Sequence, residues 1–433
     1  MGEAGLRTEV MVDGNIHYLP LPKARALDSA ALSFTLRLEN FSQIRHAYGR
    51  EAAQLVVDEV WKAVAAGLGA DAVIDLGADG AIECLIWMQA SHSHATTEEC
   101  MKWLRLLCRS LSLQAIDAAG SKIFPVLSAE DIVSVEAGLG GARVLDAVSV
   151  RFSGDRCEAS ASWAEQYRRD MAAAAPILEA MESGQAGPVL AWQPIRSAFQ
   201  PAKILYWEGL LREITASGQV NALGEQMEAI ERLGYARFVD HHVVSRAIDE
   251  LDQLTSDIVL AVNVSARSAE LDFLWDEVEA RLAGRPDLAS RLIIELTETS
   301  PIRCMTSAVK FIDRMRGLGC RFALDDFGCG FASVRHLMAL SPQFVKIDKV
   351  FLRCATQGAR QRELFKRLVG LAGALGATII AEGVETEAQS ELAFEAGCDW
   401  QQGYLWGAPS LSRPRSAVAE PLPTYNSELR AAV

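Results

Sequence analysis

The chain has 433 residues, half of them hydrophobic and 23% charged, which suits a soluble globular protein with room for two or three cored domains. A formal net charge of −14 argues against general electrostatic binding to a nucleic-acid polymer or an anionic membrane. An anionic ligand would need local help from metal ions or a few well-placed Arg and Lys.

In chain order, residues 1–30 are polar and mixed and read as an irregular arm. Residues 31–155 suit a smaller α/β domain. ALSFTLRLE alternates like a strand, and Glu51 to Leu68 carries apolar residues at helical spacing. AVIDLGADGAIECLIWM reads as a strand, a Gly-rich turn and a second strand. Residues 156–187 read as a linker helix with Ser162 as a candidate cap and Pro176 as a candidate kink. Residues 188–412 alternate short apolar runs with helix-like stretches. Residues 413–433 gain Pro, lose periodicity and read as a mobile tail.

The nine cysteines (84, 100, 108, 157, 304, 320, 329, 354 and 398) form no C-x-x-C pair, so free thiols in a reducing cytoplasm are expected. The N-terminus has no apolar h-region, and Leu368–Ala381 is glycine-broken and too short for a bilayer. No signal peptide and no membrane association are expected.

The segment from 188 to 412 holds the chemistry. Its apolar runs stop near Glu208, Asn263, Glu295, Asp325-Asp326, Lys346 and Glu382, and DWQQGY puts Gln402 in a similar setting. A run of Val, Ile, Leu, Phe and Ala reads as a buried strand. An ionisable group where such a run stops needs a partner, a metal or solvent. The repetition predicts a TIM-like (β/α)8 barrel with its chemistry at the C-terminal rim. Several acids, an amide and one lysine make an oxygen cage for divalent cations. The tandem Asp325-Asp326 is the sharpest feature, because two carboxylates at a strand end can bridge two ions. Lys346 adds a positive charge that can orient a water. A solvated turn could explain DD alone, and a helix start could explain Glu295 with Glu298. The combination is what points to a site.

The ordered series WQPI, EGLLR, VNVS, ELTE, DDFG, KID, AEGVE and QGY resembles the EAL domain. Members of that family hydrolyse cyclic di-GMP to linear pGpG. The resemblance implies Glu208, Asn263, Glu295 and Asp325 as ligands of one Mg²⁺ or Mn²⁺, and Asp325 with Asp326 and Glu382 around a second. It implies Lys346 as the residue positioning the nucleophilic water, with Gln402 supporting it. Arg212 and Gln193 are implied substrate contacts, and Glu298 is implied to fix the loop after DDFG. A homodimer through this domain follows from the same resemblance. The chain departs from the pattern at Gly209, where Ala is usual, and at Glu213, Cys329 and Phe331. Gly209 is expected to add backbone freedom.

LENFSQIRHAYGREAAQ followed by DLGADGA resembles a GGDEF domain, the diguanylate cyclase fold. Its signature turn has become Gly77-Ala78-Asp79-Gly80-Ala81, and Arg37 stands where a metal-binding Asp is usual. Leu68 replaces the arginine of the inhibitory site. The expectation is a degenerate, inactive and regulatory first domain before a cyclic di-GMP phosphodiesterase. The alternative is a catalytically silent cyclic di-GMP receptor acting through an unknown protein partner.

Overall fold

A computed structural model describes residues 7–12, 15–20, 30–68, 72–76, 82–88, 97–135, 142–144, 156–157, 160–183, 188–214, 217–297, 302, 304–329, 334–412, 414 and 418–419. These form two compact units, Met1–Gln185 with Glu228–Gly234, and Ala186–Met227 with Tyr235–Val433.

The first unit opens with a hairpin, β1 (Arg7–Val12) and β2 (Asn15–Pro20), paired antiparallel. Within the span expected to be an irregular arm, Arg7–Val12 and Asn15–Pro20 are therefore strands. Two short apolar-alternating stretches flank Asp13-Gly14, a dipeptide that favours tight hairpin turns. Next come β3 (Ala30–Leu38), α1 (Phe41–Tyr48), α2 (Arg50–Leu68), β4 (Ala72–Leu76), β5 (Ile82–Met88) and α3 (Thr97–Leu113). They are followed by β6 (Ile116–Ala118), β7 (Ser121–Ile123), β8 (Leu127–Val135), β9 (Ala142–Val144) and α4 (Ala161–Ser183). A five-stranded sheet runs in the order β4-β5-β3-β8-β9. Central β3 buries Phe34, Leu36 and Leu38, every second residue, as a half-buried strand should.

Helix α4 starts earlier than Ser162 suggests, because the Ser160 hydroxyl accepts the Trp163 N–H at 3.2 Å. Pro176 lies inside one continuous helix. Trp163 and Tyr167 of α4 stack at 5.1 Å, and Trp163 also meets His46 of α1. Asn40, fully buried, donates to the Phe124 carbonyl at 3.0 Å and accepts from the Val126 N–H at 2.9 Å.

The second unit contains β10 (Val189–Ser197), β11 (Lys203–Ile214), β12 (Val220–Ala222), the start of α5 (Gly224–Leu233), whose residues from Glu228 on belong to the first unit, α6 (Ala236–Gln253) and β13 (Leu260–Ser265). Then come α7 (Phe273–Ala283), α8 (Pro286–Ala289), β14 (Leu292–Thr297), α9 (Met305–Leu318), β15 (Arg321–Phe327) and α10 (Val334–Leu340). The barrel finishes with β16 (Phe344–Ile347), α11 (Lys349–Ala355), α12 (Ala359–Gly373), β17 (Thr378–Ala381), α13 (Glu387–Glu395) and β18 (Trp400–Gln401). Strands β10, β11 and β13 to β18 close into an eight-stranded barrel. β10 is antiparallel to both neighbours, β11 and β18, while the others run parallel. Residues 198–202 are too few for a crossover helix, so β10 and β11 can only form a hairpin. Beyond residue 412 a short strand, β19 (Val418–Ala419), pairs with β11 at Lys203 and Ile204, so the segment read as a mobile tail contributes to the sheet.

An apolar layer inside the barrel comprises Ile195, Tyr206, Ala261, Ile293, Ala323, Phe344 and Ile380, with Leu205. Each of the seven inward members stands two residues from a residue singled out above: Gln193, Glu208, Asn263, Glu295, Asp325, Lys346 and Glu382. Alternation along a strand places residues i and i+2 on one face. The apolar layer is thus the floor on which the polar layer rests.

Candidate active site

Lys346 lies at the centre of the polar layer and is 1% exposed. Its Nζ is 3.0 Å from Glu208 Oε2, 2.9 Å from Glu295 Oε2, 3.1 Å from Asp325 Oδ1 and 2.9 Å from Glu382 Oε1. Four strands, β11, β14, β15 and β16, and the residue just after β17 bring these groups together. Glu208 is further held by Asn263, whose Nδ2 donates to Oε1 at 2.7 Å, and by Gln402, whose Nε2 donates to Oε2 at 2.5 Å. Gln402 Nε2 also reaches Gln193 Oε1 at 3.2 Å, and Gln193 donates to the Gly407 carbonyl at 2.9 Å.

Asp325 and Asp326 reach the same site because the strand breaks its rhythm. Asp326 has φ of +52°, and the β15–β16 ladder shifts register between Leu324 and Phe327. Left-handed backbone is unfavourable for a residue with a side chain, so tertiary contacts must hold it there. Carboxylate oxygens of Glu208, Glu295 and Asp325 lie within 4.8 Å of one another, and so do those of Asp325, Asp326 and Glu382. Asp325 belongs to both groups.

The charges do not balance within the cluster, and the proton affinities show it. Burial opposes the charge on Lys346, but the surrounding carboxylates outweigh it and hold the ammonium well above its ordinary range. Burial would raise Glu208; Lys346, Gln402 and Asn263 outweigh burial and hold it low. The other acids are not so compensated. Burial, only partly offset by Lys346, pushes Glu295 up to about 8. Burial and neighbouring Asp325 push Asp326 up to about 7, and the same two causes raise Glu382 well above its range. Asp325 is also raised, mainly by burial. Five carboxylates around one ammonium call for additional cations.

The residues fit divalent cations. Among the described residues, the buried Asn263 Oδ1 has no hydrogen-bond partner, although buried acceptors are nearly always satisfied. Hard oxygen donors of this kind suit Mg²⁺ or Mn²⁺.

One family's sequence pattern, the EAL domain, matches residues 176–409. The chain belongs to the EAL domain family. The cyclic di-GMP phosphodiesterase PdeB of Shewanella oneidensis is 30% identical over 237 residues, 54% of this chain and 27% of PdeB. The cyclic di-GMP phosphodiesterase RocR of Pseudomonas aeruginosa is 33% identical over 160 residues, 37% of this chain and 41% of RocR. The chain spans less than half the length of these relatives. The EAL domain of FimX from Pseudomonas aeruginosa, solved with cyclic di-GMP bound, is similar at 24% identity. That match covers 56% of this chain and 98% of FimX's domain, with a TM-score of 0.50, and shows the fold.

Within the EAL domain, nine of the singled-out residues meet at one rim: Gln193, Glu208, Asn263, Glu295, Asp325, Asp326, Lys346, Glu382 and Gln402. Arg212 stands two same-face positions outward, four residues beyond Glu208 on β11. Its charge is disfavoured by burial and supported by Glu208 and Tyr404. Glu208 is not at a strand end, since β11 continues to Ile214. Glu298 and Phe331 lie outside the described residues.

Asp348 escaped the sequence reading. Its Oδ1 accepts the Val350 N–H at 2.6 Å, capping α11, and the Cys329 thiol donates to it at 3.4 Å. It also shares a hydrogen bond with Asp326. The signal was available, for Asp348 is two residues beyond Lys346. The EAL-domain glycines have steric causes too. A Cβ on Gly403 would lie 2.1 Å from the Val384 carbonyl oxygen, and one on Gly383, at φ +63°, 2.4 Å from Lys349 Cβ. Among the described residues, no helix is long and apolar enough to cross a membrane.

Proposed function

We propose that the barrel unit hydrolyses cyclic di-GMP to linear pGpG with the help of two divalent cations, Mg²⁺ or Mn²⁺. The observation that carries this reading is the membership of Asp325 in two carboxylate groups that flank one buried lysine. Glu208, Asn263, Glu295 and Asp325 would hold one cation; Asp325, Asp326 and Glu382 would hold the other. Such ions supply a hydroxide at neutral pH and neutralise a phosphodiester. Lys346 positions the attacking water and offsets the charge of the acids around it. Gln402 fixes the direction of Glu208, and Gln193 steadies Gln402. Arg212 would contact a substrate phosphate, and Glu298 would fix the loop after DDFG. The names of PdeB and RocR support the substrate.

The first unit, in this reading, is a degenerate GGDEF-like domain that regulates the barrel. Arg37, in the position expected for a metal-binding Asp, is tied to Glu130 at 2.8 Å, which supports the absence of a cyclase metal site there. A homodimer through the EAL domain and an unidentified protein partner belong to the same reading, in a cytoplasmic setting.

The test is incubation of the purified chain with cyclic di-GMP and Mg²⁺ or Mn²⁺, followed by chromatography. We expect pGpG, and none with a chelator or in Glu208→Ala. Binding without product would instead identify a silent receptor.

A further inference from the structure

β11 and β13 pair only at Trp207–Leu260, Glu208–Ala261 and Gly209–Val262. On its other side β13 stays paired with β14 as far as Ser265. The barrel wall therefore opens just beyond Gly209 and Val262, next to Glu208 and Asn263, the two residues joined by a 2.7 Å side-chain bond. An open edge leaves backbone N–H groups of β13 without a strand to pair with, and a buried N–H left unpaired is costly.

Helix α6 fills the gap. Asp240 Oδ2 accepts the Ser265 N–H at 2.9 Å, and both residues are buried. One turn earlier on the same face, Arg237 is 2% exposed. It bonds the Asp272 carboxylate, Glu270 Oε2 at 3.1 Å and the Arg267 carbonyl at 3.3 Å. Asp272 in turn caps α7 by accepting the Leu274 N–H at 3.0 Å. The segment from Ser265 to Asp272 is thus held at both ends by one face of α6. Apolar side chains could fill such a space at equal or better stability, so two buried charges here call for another role. Bonds to a defined backbone N–H and carbonyl set direction, which apolar packing does not.

We propose that Asp240, backed by Arg237, is a positioning residue for the cation site. Its carboxylate replaces the missing strand at Ser265 and so aims Asn263, two residues back on β13, at the carboxylate cluster. Asn263 Nδ2 is committed to Glu208, which leaves Oδ1, buried and unpartnered, for a cation. The proposal rests on the metal-binding part of the reading above and is independent of which phosphodiester is cut.

The experiment is Mn²⁺ titration of the full chain, with free Mn²⁺ followed by its paramagnetic resonance signal. The variants are Asp240→Leu, Asp240→Asn, Asn263→Ala and the double variant Asp240→Leu/Asn263→Ala, with circular dichroism to check the fold. Asp240→Leu is expected to weaken Mn²⁺ binding about 10- to 100-fold, the range for groups that orient metal ligands. Asp240→Asn, which still accepts from Ser265, should bind like the parent. The double variant should bind no more weakly than Asn263→Ala alone, because Asp240 acts through Asn263. Additive losses in the double variant, or parental affinity in Asp240→Leu, would overturn the proposal. If Asp240→Leu does not fold, Arg237→Met in the same cycle takes its place with the same expectation. A parental chain that binds no Mn²⁺ would overturn the metal reading itself, a separate outcome.

Discussion

Gly209 faces Trp192 across the β10–β11 hairpin, and a methyl group on Gly209 would lie 2.7 Å from the indole Cζ3. Carbon atoms do not approach so closely without displacement. The glycine in the EGL motif is therefore matched to a bulky partner on the neighbouring strand. Its backbone does not take a left-handed φ, so the freedom expected from the sequence is not what it supplies.

Gly209→Ala should accordingly lose about 1–3 kcal/mol of stability, the usual range for overpacking. Urea unfolding measures this. Trp192→Phe combined with Gly209→Ala should lose less than the two single changes summed, since the residues touch. A fully additive pair would contradict the steric account.

Lys346→Met leaves four buried or half-buried carboxylates without their shared counter-charge. Breaking a buried ion pair from one side costs about 3–5 kcal/mol. Denaturation in chelator should show a loss of that order, and Mn²⁺ should recover part of it by replacing the charge. An unchanged midpoint in chelator would argue against the cluster's charge imbalance.

Stability of the metal-free protein should fall as pH rises. Glu295 at about 8 and Asp326 at about 7 hold their protons more tightly when folded than a free carboxyl does. The folded state then binds more protons than the unfolded state, so stability declines with pH from the ordinary carboxyl range through these values. Glu208, held low, acts in the opposite sense, but only at acid pH. Scanning calorimetry in chelator should give a melting temperature that drops from about pH 5 through about pH 8. Mn²⁺ should raise it more at the alkaline end. A flat or rising profile in chelator would contradict this.

Gln402→Ala removes the 2.5 Å bond that directs Glu208. Loss of such a supporting bond typically lowers metal affinity or activity about 10- to 100-fold. Mn²⁺ affinity and cyclic di-GMP turnover should both fall by that order, with unfolding little changed. Parental values in both assays would show that Glu208 is oriented by Asn263 and Lys346 alone.

Much of the barrel and its polar rim was legible in the linear order of residues. Each apolar run carries its polar residue two positions from an inward apolar one, and two-residue alternation is a property of a single strand. Glu208, Asn263, Glu295, Asp325, Lys346 and Glu382 could therefore be picked out without knowing their neighbours. The same local logic identified β3, α2 and the β4–β5 pair. It does not reach the pairing of Arg7–Val12 with Asn15–Pro20, nor Asp348, whose partners Cys329 and Asp326 lie elsewhere in the chain.

The sequence by itself determined which side chains face the barrel interior, because that follows from backbone geometry over a few residues. Tertiary structure decided what the interior does with them. Asp326 joins Asp325 through a left-handed φ of +52°, which no isolated strand would hold. Lys346 gathers acids from β11, β14 and β15 and the one after β17, which only barrel closure brings within 3.1 Å. Gly209 owes its lack of a side chain to Trp192 on another strand, and Ser265 owes its hydrogen bond to Asp240 on a helix. These relations depend on surfaces meeting after the chain has folded, and pairings of that kind have no local periodicity to announce them.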